Sequence, residues 1–403
     1  MTLKVKVGMI GALDMLKFKN QTSVREKAIA NAQDKEIKAV FASNEKAKLL
    51  HPDYQELIIT KIKDYPSAQA KSFVLEAKEN GTLAFFRAGQ YLSVSLEING
   101  FYVSRPYSIS SSPSLALREN QYEITVKRVG NGFVSDYILN NWEIGDTVLS
   151  SGPLGQFYFE EMRDSKNVVA LAGGSGITPF LSMAEAINSG EEDFNLTIIY
   201  GCRDLENILF KEELDELSSK CKKIKVVYIL SEKEVEGYEF GFITSDIIKK
   251  YTPEDYSIFI CGPEAMYKFT QKEIEKLNLE SKFVRRELMG VTKEIWEHEG
   301  YPVEKKGKTF KLKVTQCGKE YSIDASADET MLTALERAGI AAPSHCRSGE
   351  CGWCHSKLIS GEVFIPEEND GRRHADISNN YIHPCSSFLL SDAHIDVPGV
   401  YKP

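Results

Sequence analysis

Four cysteines near the C-terminus constrain this chain more tightly than anything else in its 403 residues. Cys346, Cys351 and Cys354 lie in one run, separated by four and then two residues, and Cys385 follows thirty residues later. Three sulfurs must close on one compact group from a single loop, while a fourth arrives from a distant strand end. That is the plant-type spacing of a [2Fe–2S] cluster. Gly349 and Gly352 let the backbone approach the sulfurs, and N–H groups there can offset the negative charge of a cluster. The rival is structural zinc on four cysteines, but zinc sites usually show two separate Cys-x2–4-Cys pairs and one such group is present here. His345 and His355 flank the run and would suit a mixed site, although such adjacency commonly reflects loop composition.

The remaining cysteines, Cys202, Cys221, Cys261 and Cys317, are scattered. At the N-terminus Lys4 and Lys6 precede VGMIGALDML, but Asp14 interrupts that stretch and no small-residue cleavage site follows, so no signal peptide is expected. Clustered cysteines without a secretion signal point to metal or redox chemistry rather than disulfides, in a cytoplasmic protein. Hydrophobic residues make up 42% and charged residues 27% of the chain, which excludes wholesale disorder. Mean hydropathy is −0.28, and apolar runs such as VVALA (168–172) fall far short of the ~20 residues of a membrane span. A net charge of −9 argues against nucleic acid as a partner. Residues 1–53 are nevertheless net +4 and residues 308–403 net −3. Such unevenness fits contacts with other proteins, though a charged face is commonly just solvated.

The length suits two to three domains, and the hydrophobic grammar changes along the chain. Residues 22–50 read as helical, with Thr22 and Ser23 as N-cap candidates; Val24, Ile29, Ala32, Ile37, Val40 and Phe41 fall on one face. Residues 1–53 therefore form an expected helical extension, its apolar face packed on a neighbouring domain. Over 54–162, six short β-rich segments separated by Asn-Gly, Gly or Pro turns predict an antiparallel barrel, interrupted by one short helix at 134–142. Over 163–289, unbroken apolar strands alternate with helical segments, the pattern of a doubly wound parallel sheet. A Gly-, Lys- and Glu-rich stretch, 290–307, reads as a linker. Residues 308–403 read as a small α+β domain that contains the cysteine loop.

Further motifs fall on strand ends. GGSGITP follows an apolar strand and opens a helix, so Gly173, Gly174, Gly176, Ile177, Thr178 and Pro179 can present N–H groups and a helix N-terminus to a pyrophosphate. It is not GxGxxG. Cys261-Gly262-Pro263 follows another apolar strand, at the edge where ligands of such sheets bind. Arg105-Pro106-Tyr107-Ser108 ends a barrel strand and offers a charged fork, a flat ring and a hydroxyl. Gly132, Val134 and Ser135 open the short helix and give a second phosphate contact. Arg203, after another strand, can pair with a 2′-phosphate, but Asp204 beside it would repel one, so NADH and NADPH stand level.

In this order, RPYS, GGSGITP, Cys261-Gly262-Pro263 and the cysteine spacing resemble the ferredoxin–NADP reductase superfamily with a C-terminal plant-type ferredoxin, over residues 55–400. That family includes reductase components of oxygenases and the NADH reductase of the hybrid-cluster protein. The resemblance implies a flavin barrel, an NAD(P)-binding domain and a β-grasp ferredoxin domain. It implies that Arg105 and Tyr107 hold the flavin, that Ser108 bonds near its N5, and that 132–135 take its phosphate. It further implies that 173–179 bind the dinucleotide pyrophosphate, with Cys261 near the nicotinamide. FAD is expected over FMN. Nothing transfers to the N-terminal extension. The sheet domain also runs through Arg285-Arg286-Glu287 into the linker without the aromatic that ends plant-type reductases, so the role of gating the nicotinamide is unassigned.

The expected activity is electron splitting. NAD(P)H gives two electrons as hydride, an iron–sulfur cluster takes one at a time, and flavin handles both. Ser108 and Cys261 would assist hydride transfer by position and polar contact. The acceptor would be a redox protein, an oxygenase or an anaerobic reductase component. Two other classes remain: a non-catalytic flavin and iron–sulfur subunit of a larger complex, and a zinc-stapled binding module. Turnover of the isolated chain separates the first, and colour the second.

Overall fold

The computed structural model describes residues 21–31, 41–78, 81–130 and 132–400. The chain divides into two compact units, Met1–Lys48 and Leu49–Pro403. Two helices come first, α1 (Gln21–Ala30) and α2 (Ala42–Leu50), and neither buries a residue. Val24, Ile29 and Phe41, expected on a packed face, are each more than half exposed. Ala32, Ile37 and Val40, the rest of that expected face, lie outside the described residues.

The second unit opens with a six-stranded antiparallel sheet, β1 (Gln55–Tyr65), β2 (Ala70–Ala77), β3 (Tyr91–Ile98), β4 (Phe101–Ser108), β5 (Gln121–Lys127) and β6 (Thr147–Ser150), in the order β4-β3-β6-β1-β2-β5. A bridge between Ile109 and Ile124 joins the two outer strands and closes the sheet on itself. Alternating apolar residues of β1 and β2, among them Leu57, Ile59, Phe73 and Leu75, fill the interior. The β3–β4 turn is the two-residue Asn99-Gly100, both with positive φ, which fixes the register that pairs Leu92 with Tyr107 and Val94 with Arg105. Two helices complete the barrel: α3 (Pro113–Glu119) and α4 (Phe133–Asn141). The reading of the sequence gave one helix in this region and passed over α3; Pro113 at its first turn and Asn120 at its left-handed C-cap are the signals that mark it.

Next comes a parallel sheet, β7 (Asn167–Gly173), β8 (Asn195–Cys202), β9 (Ile224–Leu230), β10 (Glu239–Phe240), β11 (Ser257–Cys261) and β12 (Val284–Arg286), ordered β10-β9-β8-β7-β11-β12. Between these strands run α5 (Thr178–Asn188), α6 (Lys211–Lys220), α7 (Ser245–Tyr251) and α8 (Glu264–Glu275). Both faces of the sheet are covered: Val168, Ala170 and Ala172 pack with Phe180 and Leu214, while Val169 and Leu171 pack with Ile248 and Ile274. The strand order reverses at β7, which pairs with β8 on one side and β11 on the other. That is the switch point where such sheets bind ligands.

The last region holds β13 (Thr309–Gln316), β14 (Lys319–Ser326), α9 (Met331–Arg337), β15 (Ser356–Ser360), β16 (Val363–Phe364), α10 (His374–Ser378), β17 (Tyr381–Ile382), β18 (Phe388–Leu389) and β19 (Ala393–Asp396). A mixed sheet, β14-β13-β19-β15-β17, packs Leu312, Val314 and Ile395 against Leu332 and Leu335 of α9. The stretch 290–307, read as a linker, is packed down: Ile295 and Tyr301 are buried against Phe388. Among the described residues no helix is long and apolar enough to cross a membrane.

Candidate functional site

Adjacent strand ends bring two of the motifs together. Ala172 of β7 pairs with Cys261 of β11, so the turn after β7 lies directly on the turn after β11. Gly174–Ile177 make a tight helical turn that runs into α5, with Pro179 in the first turn of that helix. Glycine is required here: a β-carbon on Gly176 would lie 2.0 Å from the Cys261 carbonyl oxygen, and Gly174 has φ +55°. A β-carbon on Gly173 or Gly262 would come within 2.5 Å of Met266 Sδ. Ile177 is fully buried and serves the core. Thr178 Oγ1 donates to Ser175 O at 2.9 Å, so its hydroxyl closes the turn rather than pointing a free proton outward.

Arg203 is exposed and 4.0 Å from Glu232, while Asp204 caps the following turn by accepting from Asn207 N at 3.0 Å. A cation that the sequence reading overlooked stands closer to the glycine turn. Lys127, at the end of β5, is half-buried; its Nζ would be 3.9 Å from a β-carbon on Gly174, and it has no hydrogen-bond or ion-pair partner among the described residues. Burial lowers its pKa. A lysine ending a barrel strand looks ordinary in sequence; only the fold aims it at the neighbouring sheet.

On the barrel, Arg105 and Tyr107 share one face of β4 and Ser108 ends it. Arg105 Nη1 donates to Ser104 O at 2.7 Å. Burial, with Arg347 close by, lowers the Arg105 pKa to about 10. Tyr107 packs partly against the barrel core, and Ser108 is buried. At the start of α4, Val134 is core. Ser135 Oγ accepts from Val129 N at 3.2 Å, and a β-carbon on Gly132 would lie 2.3 Å from that oxygen. Gly132 N donates to Val129 O at 2.8 Å, so the turn offers the backbone N–H groups of Val134 and Ser135 rather than that of Gly132 or the side chain of Val134.

A segment that the sequence reading took only as the way into a linker ties these pieces together. Glu287 N donates to Ile260 O at 3.0 Å, Met289 Sδ lies 4.0 Å from Ser108 Oγ, and Gly290 N donates to Cys346 O at 3.2 Å. Glu287 itself is 5% exposed, and burial, reinforced by Glu350, pushes its carboxyl well above the usual range. Burial likewise raises Cys261, with Glu287 nearby. The backbone of Glu287 is fixed by Tyr267, whose hydroxyl donates to Glu287 O at 2.6 Å. Nothing in the strand pattern marks this carboxylate; its burial beside Cys261 does.

The cysteine loop gathers its four sulfurs. Cys354 Sγ and Cys385 Sγ are 3.3 Å apart, and Cys346 Sγ accepts backbone N–H groups from Ser348 and Cys351, both at 3.4 Å. Contacts from the thiols of Cys351 and Cys385 hold Cys346 well below the usual thiol range. Cys346, Cys354 and Cys385 are buried and Cys351 is exposed; none is in a disulfide. Gly349 has φ +89°, and a β-carbon there would lie 2.0 Å from Asn369 O. Among the described residues no three His, Cys, Asp or Glu surround a single point as one metal ion requires. A two-iron cluster divides its thiolates in pairs and requires no such point. The flanking histidines are engaged elsewhere: His355 Nε2 contacts Asp376 at 2.9 Å, and the ring of His345 lies on Trp353 with centroids 4.4 Å apart. Four converging sulfurs, inward N–H groups and strained glycines fit a [2Fe–2S] cluster.

Comparisons with known proteins agree region by region. Residues 58–159 match the oxidoreductase FAD-binding domain, 170–272 the oxidoreductase NAD-binding domain and 314–390 the 2Fe-2S iron-sulfur cluster binding domain. The glycine betaine monooxygenase reductase subunit of Chromohalobacter salexigens is 28% identical over 328 residues, covering 78% of this chain and 88% of that protein. The NADH oxidoreductase HCR of Escherichia coli is 26% identical, over 76% of this chain and 88% of that one. Among solved structures, phthalate dioxygenase reductase, described as a modular structure for electron transfer from pyridine nucleotides to [2Fe–2S], superposes with a TM-score of 0.61 at 26% identity, over 86% of this chain and 98% of that one. With flavin, nicotinamide and cluster domains in this order, the chain is an NAD(P)H-dependent oxidoreductase and belongs to the ferredoxin–NADP reductase superfamily, in the branch that has a C-terminal [2Fe–2S] domain.

Proposed function

We propose that this reductase hands single electrons from its [2Fe–2S] cluster to the terminal component of an oxygenase, and that FAD rather than FMN is its flavin. The oxygenase reading is supported by the relatives named above, two of which are reductases of oxygenase systems. The observation that bears most weight is the segment 287–290, which touches β11, Ser108 and Cys346 in four residues. In this reading 54–162 is the flavin barrel, 163–289 the doubly wound nicotinamide domain, 290–307 the connection and 308–403 a β-grasp ferredoxin domain.

Flavin, when bound, accepts hydride from NAD(P)H and releases electrons singly. The chain's own residues do the rest. Arg105 and Tyr107 hold the flavin, and the N–H groups of Val134 and Ser135 receive its phosphate at the start of α4, where Gly132, its own N–H spent on Val129 O, shapes the turn. Gly173, Gly174 and Gly176 let the dinucleotide's pyrophosphate lie on the backbone at the start of α5, with Lys127 facing it from the barrel. Ser108 and Cys261 flank the reacting atoms and orient them, and Gly262 and Pro263 shape the wall behind. Burial raises the pKa of both Cys261 and Glu287 and so favours their protonated forms. Cys346, Cys351, Cys354 and Cys385 ligate the cluster. Arg203 is too exposed to decide alone between NADH and NADPH.

Anaerobic titration of the purified holoprotein tests the proposal. Stoichiometric NADH or NADPH should bleach the flavin and produce a paramagnetic signal with average g below 2 at low temperature. The signal should disappear on adding an oxidised oxygenase component. Bleaching without a paramagnetic signal would overturn the electron path; a signal that the oxygenase leaves untouched would overturn the partner.

A further inference from the structure

One charged cluster joins the flavin strand to the cysteine loop, and of its members the electron path above uses Arg105 but neither Glu336 nor Arg347. Glu336, near the end of α9, is 9% exposed, and its carboxylate stands between two guanidinium groups. Arg347, adjacent to Cys346 and 2% exposed, grips it as a fork: Nη1 donates to Oε1 at 2.5 Å and Nη2 to Oε2 at 2.9 Å. From the barrel, Arg105 Nη1 approaches the same Oε1 at 3.6 Å. Beside this triad the two regions are latched: Ser104 Oγ donates to Ser344 O at 2.7 Å, and Ser93, Ser104 and Ser344 are all buried.

Two arginines share one carboxylate, so the triad has one positive charge in excess. Burying like charges is unfavourable unless a further anion completes the set. Arg105 supplies the opening for one, since its Nε and Nη2 make no hydrogen bond among the described residues. It lies on the same face of β4 as Tyr107, and a guanidinium fork matches a phosphate.

We propose that Glu336 positions Arg105 for the flavin's phosphate from within the ferredoxin domain, so that flavin binding and docking of residues 344–347 on β4 are coupled. This rests on the reading of Arg105 as a flavin contact. Glu336 is a positioning residue: it touches neither flavin nor cluster and acts through the arginine. Coupling is reciprocal. A docked cysteine loop strengthens flavin binding, and bound flavin holds the loop against the barrel. The reductase thus keeps its cluster docked when it has a flavin to draw electrons from.

The full-length protein, stripped of flavin and titrated with FAD, FMN and riboflavin, tests this. Glu336→Gln should raise the dissociation constants for FAD and FMN at least about tenfold, with cluster content and its paramagnetic signal unchanged. Riboflavin, which lacks the phosphate, should bind variant and wild type alike; equal losses for all three would show a merely structural role and overturn the proposal. Arg105→Ala separates the two readings. If it leaves FAD affinity unchanged, the flavin site itself is misplaced; if it weakens FAD while Glu336→Gln does not, only the coupling falls. Hydrogen exchange of the wild-type protein decides the matter even if the variants fail to fold. Removing flavin should speed exchange of the amides at 344–347, and identical exchange with and without flavin would overturn the coupling.

Discussion

Gly176 and Cys261 meet backbone to backbone: a β-carbon on Gly176 would lie 2.0 Å from the Cys261 carbonyl oxygen. No rotamer relieves such a contact, because both parties are main chain. Gly176→Ala must therefore push the end of β11 away from the glycine turn, an overpacking that costs about 1–3 kcal/mol. We expect a raised KM for NAD(P)H and slower flavin reduction in stopped-flow, with flavin still bound. Gly262→Ala should be milder, because the atom it meets is the thioether of Met266, which can swing aside.

Lys127 faces the glycine turn from a different sheet, half-buried and without an ionic partner among the described residues. A charged contact to a phosphate is worth about 1.5–3 kcal/mol. Lys127→Ala should thus raise KM for the dinucleotide roughly tenfold or more, and kcat at saturation should change little. Steady-state ferricyanide reduction over a range of NADH and NADPH checks both numbers. An unchanged KM would place the pyrophosphate elsewhere.

Lys127 also shows where the sequence stops being readable. The cysteine run, GGSGITP and RPYS are local patterns, each set by what one turn must do, and they could be read before any fold was known. The barrel and the parallel sheet were legible for the same reason, from periodicity and turn residues. Glu336, Glu287 and Lys127 gain meaning only from what other regions bring to them, across 231, 26 and 47 residues of sequence to Arg105, Cys261 and Gly174. Helix α3 escaped because it is only two turns long between strands, and nothing in sequence shows that the Thr178 hydroxyl is spent on Ser175.

Arg285 and Asp164 form a buried fork that joins β12 to the turn leading from the barrel into β7. Nε and Nη2 each lie 2.9 Å from a carboxylate oxygen, while Nη1 donates to Gln156 O and Tyr158 O, both at 2.9 Å. Removing one partner strands the other charge in a dry site, at a cost of about 3–5 kcal/mol. Arg285→Met should lower the urea midpoint accordingly. Adding Asp164→Leu should recover part of the loss, since two apolar side chains leave no unpaired charge.

Stability should also depend on pH through Glu185. Burial, then the nearby Glu123, raises its carboxyl to about 7, against the pull of the Ser112 N–H that donates to it at 2.7 Å. Glu213 and Glu191 add to the repulsion. The folded state therefore holds a proton that the unfolded chain releases near its ordinary value of about 4.3. Stability falls as pH rises from about 4.3 to about 7 and is flat beyond, a loss of at most about 3 kcal/mol because the side chain keeps some solvent contact. Urea midpoints at pH 5 and pH 8, for wild type and Glu185→Gln, isolate this group. The glutamine keeps the acceptor for Ser112, so the difference between the two curves should be small at pH 5, approach zero only below about pH 4.3, and favour the variant most at pH 8.

Of the four proposed cluster ligands, Cys351 is best suited to separating the two halves of the electron path. Cys346, Cys354 and Cys385 are buried and contribute to the packing of their region, whereas Cys351 is exposed and its sulfur can be exchanged for oxygen with little loss of packing. Cys351→Ser should abolish the low-temperature paramagnetic signal and electron delivery to the proposed oxygenase partner. No hydrogen bond among the described residues joins Cys351 to β4, β7 or β11, so flavin bleaching by NADH should stay within about twofold of wild type. Ser108→Ala should do the reverse, slowing bleaching while a dithionite-reduced cluster keeps its signal. If Cys351→Ser also stops bleaching, the Gly290–Cys346 hydrogen bond transmits the loss of the cluster into the flavin site, and the two steps cannot be treated as separate.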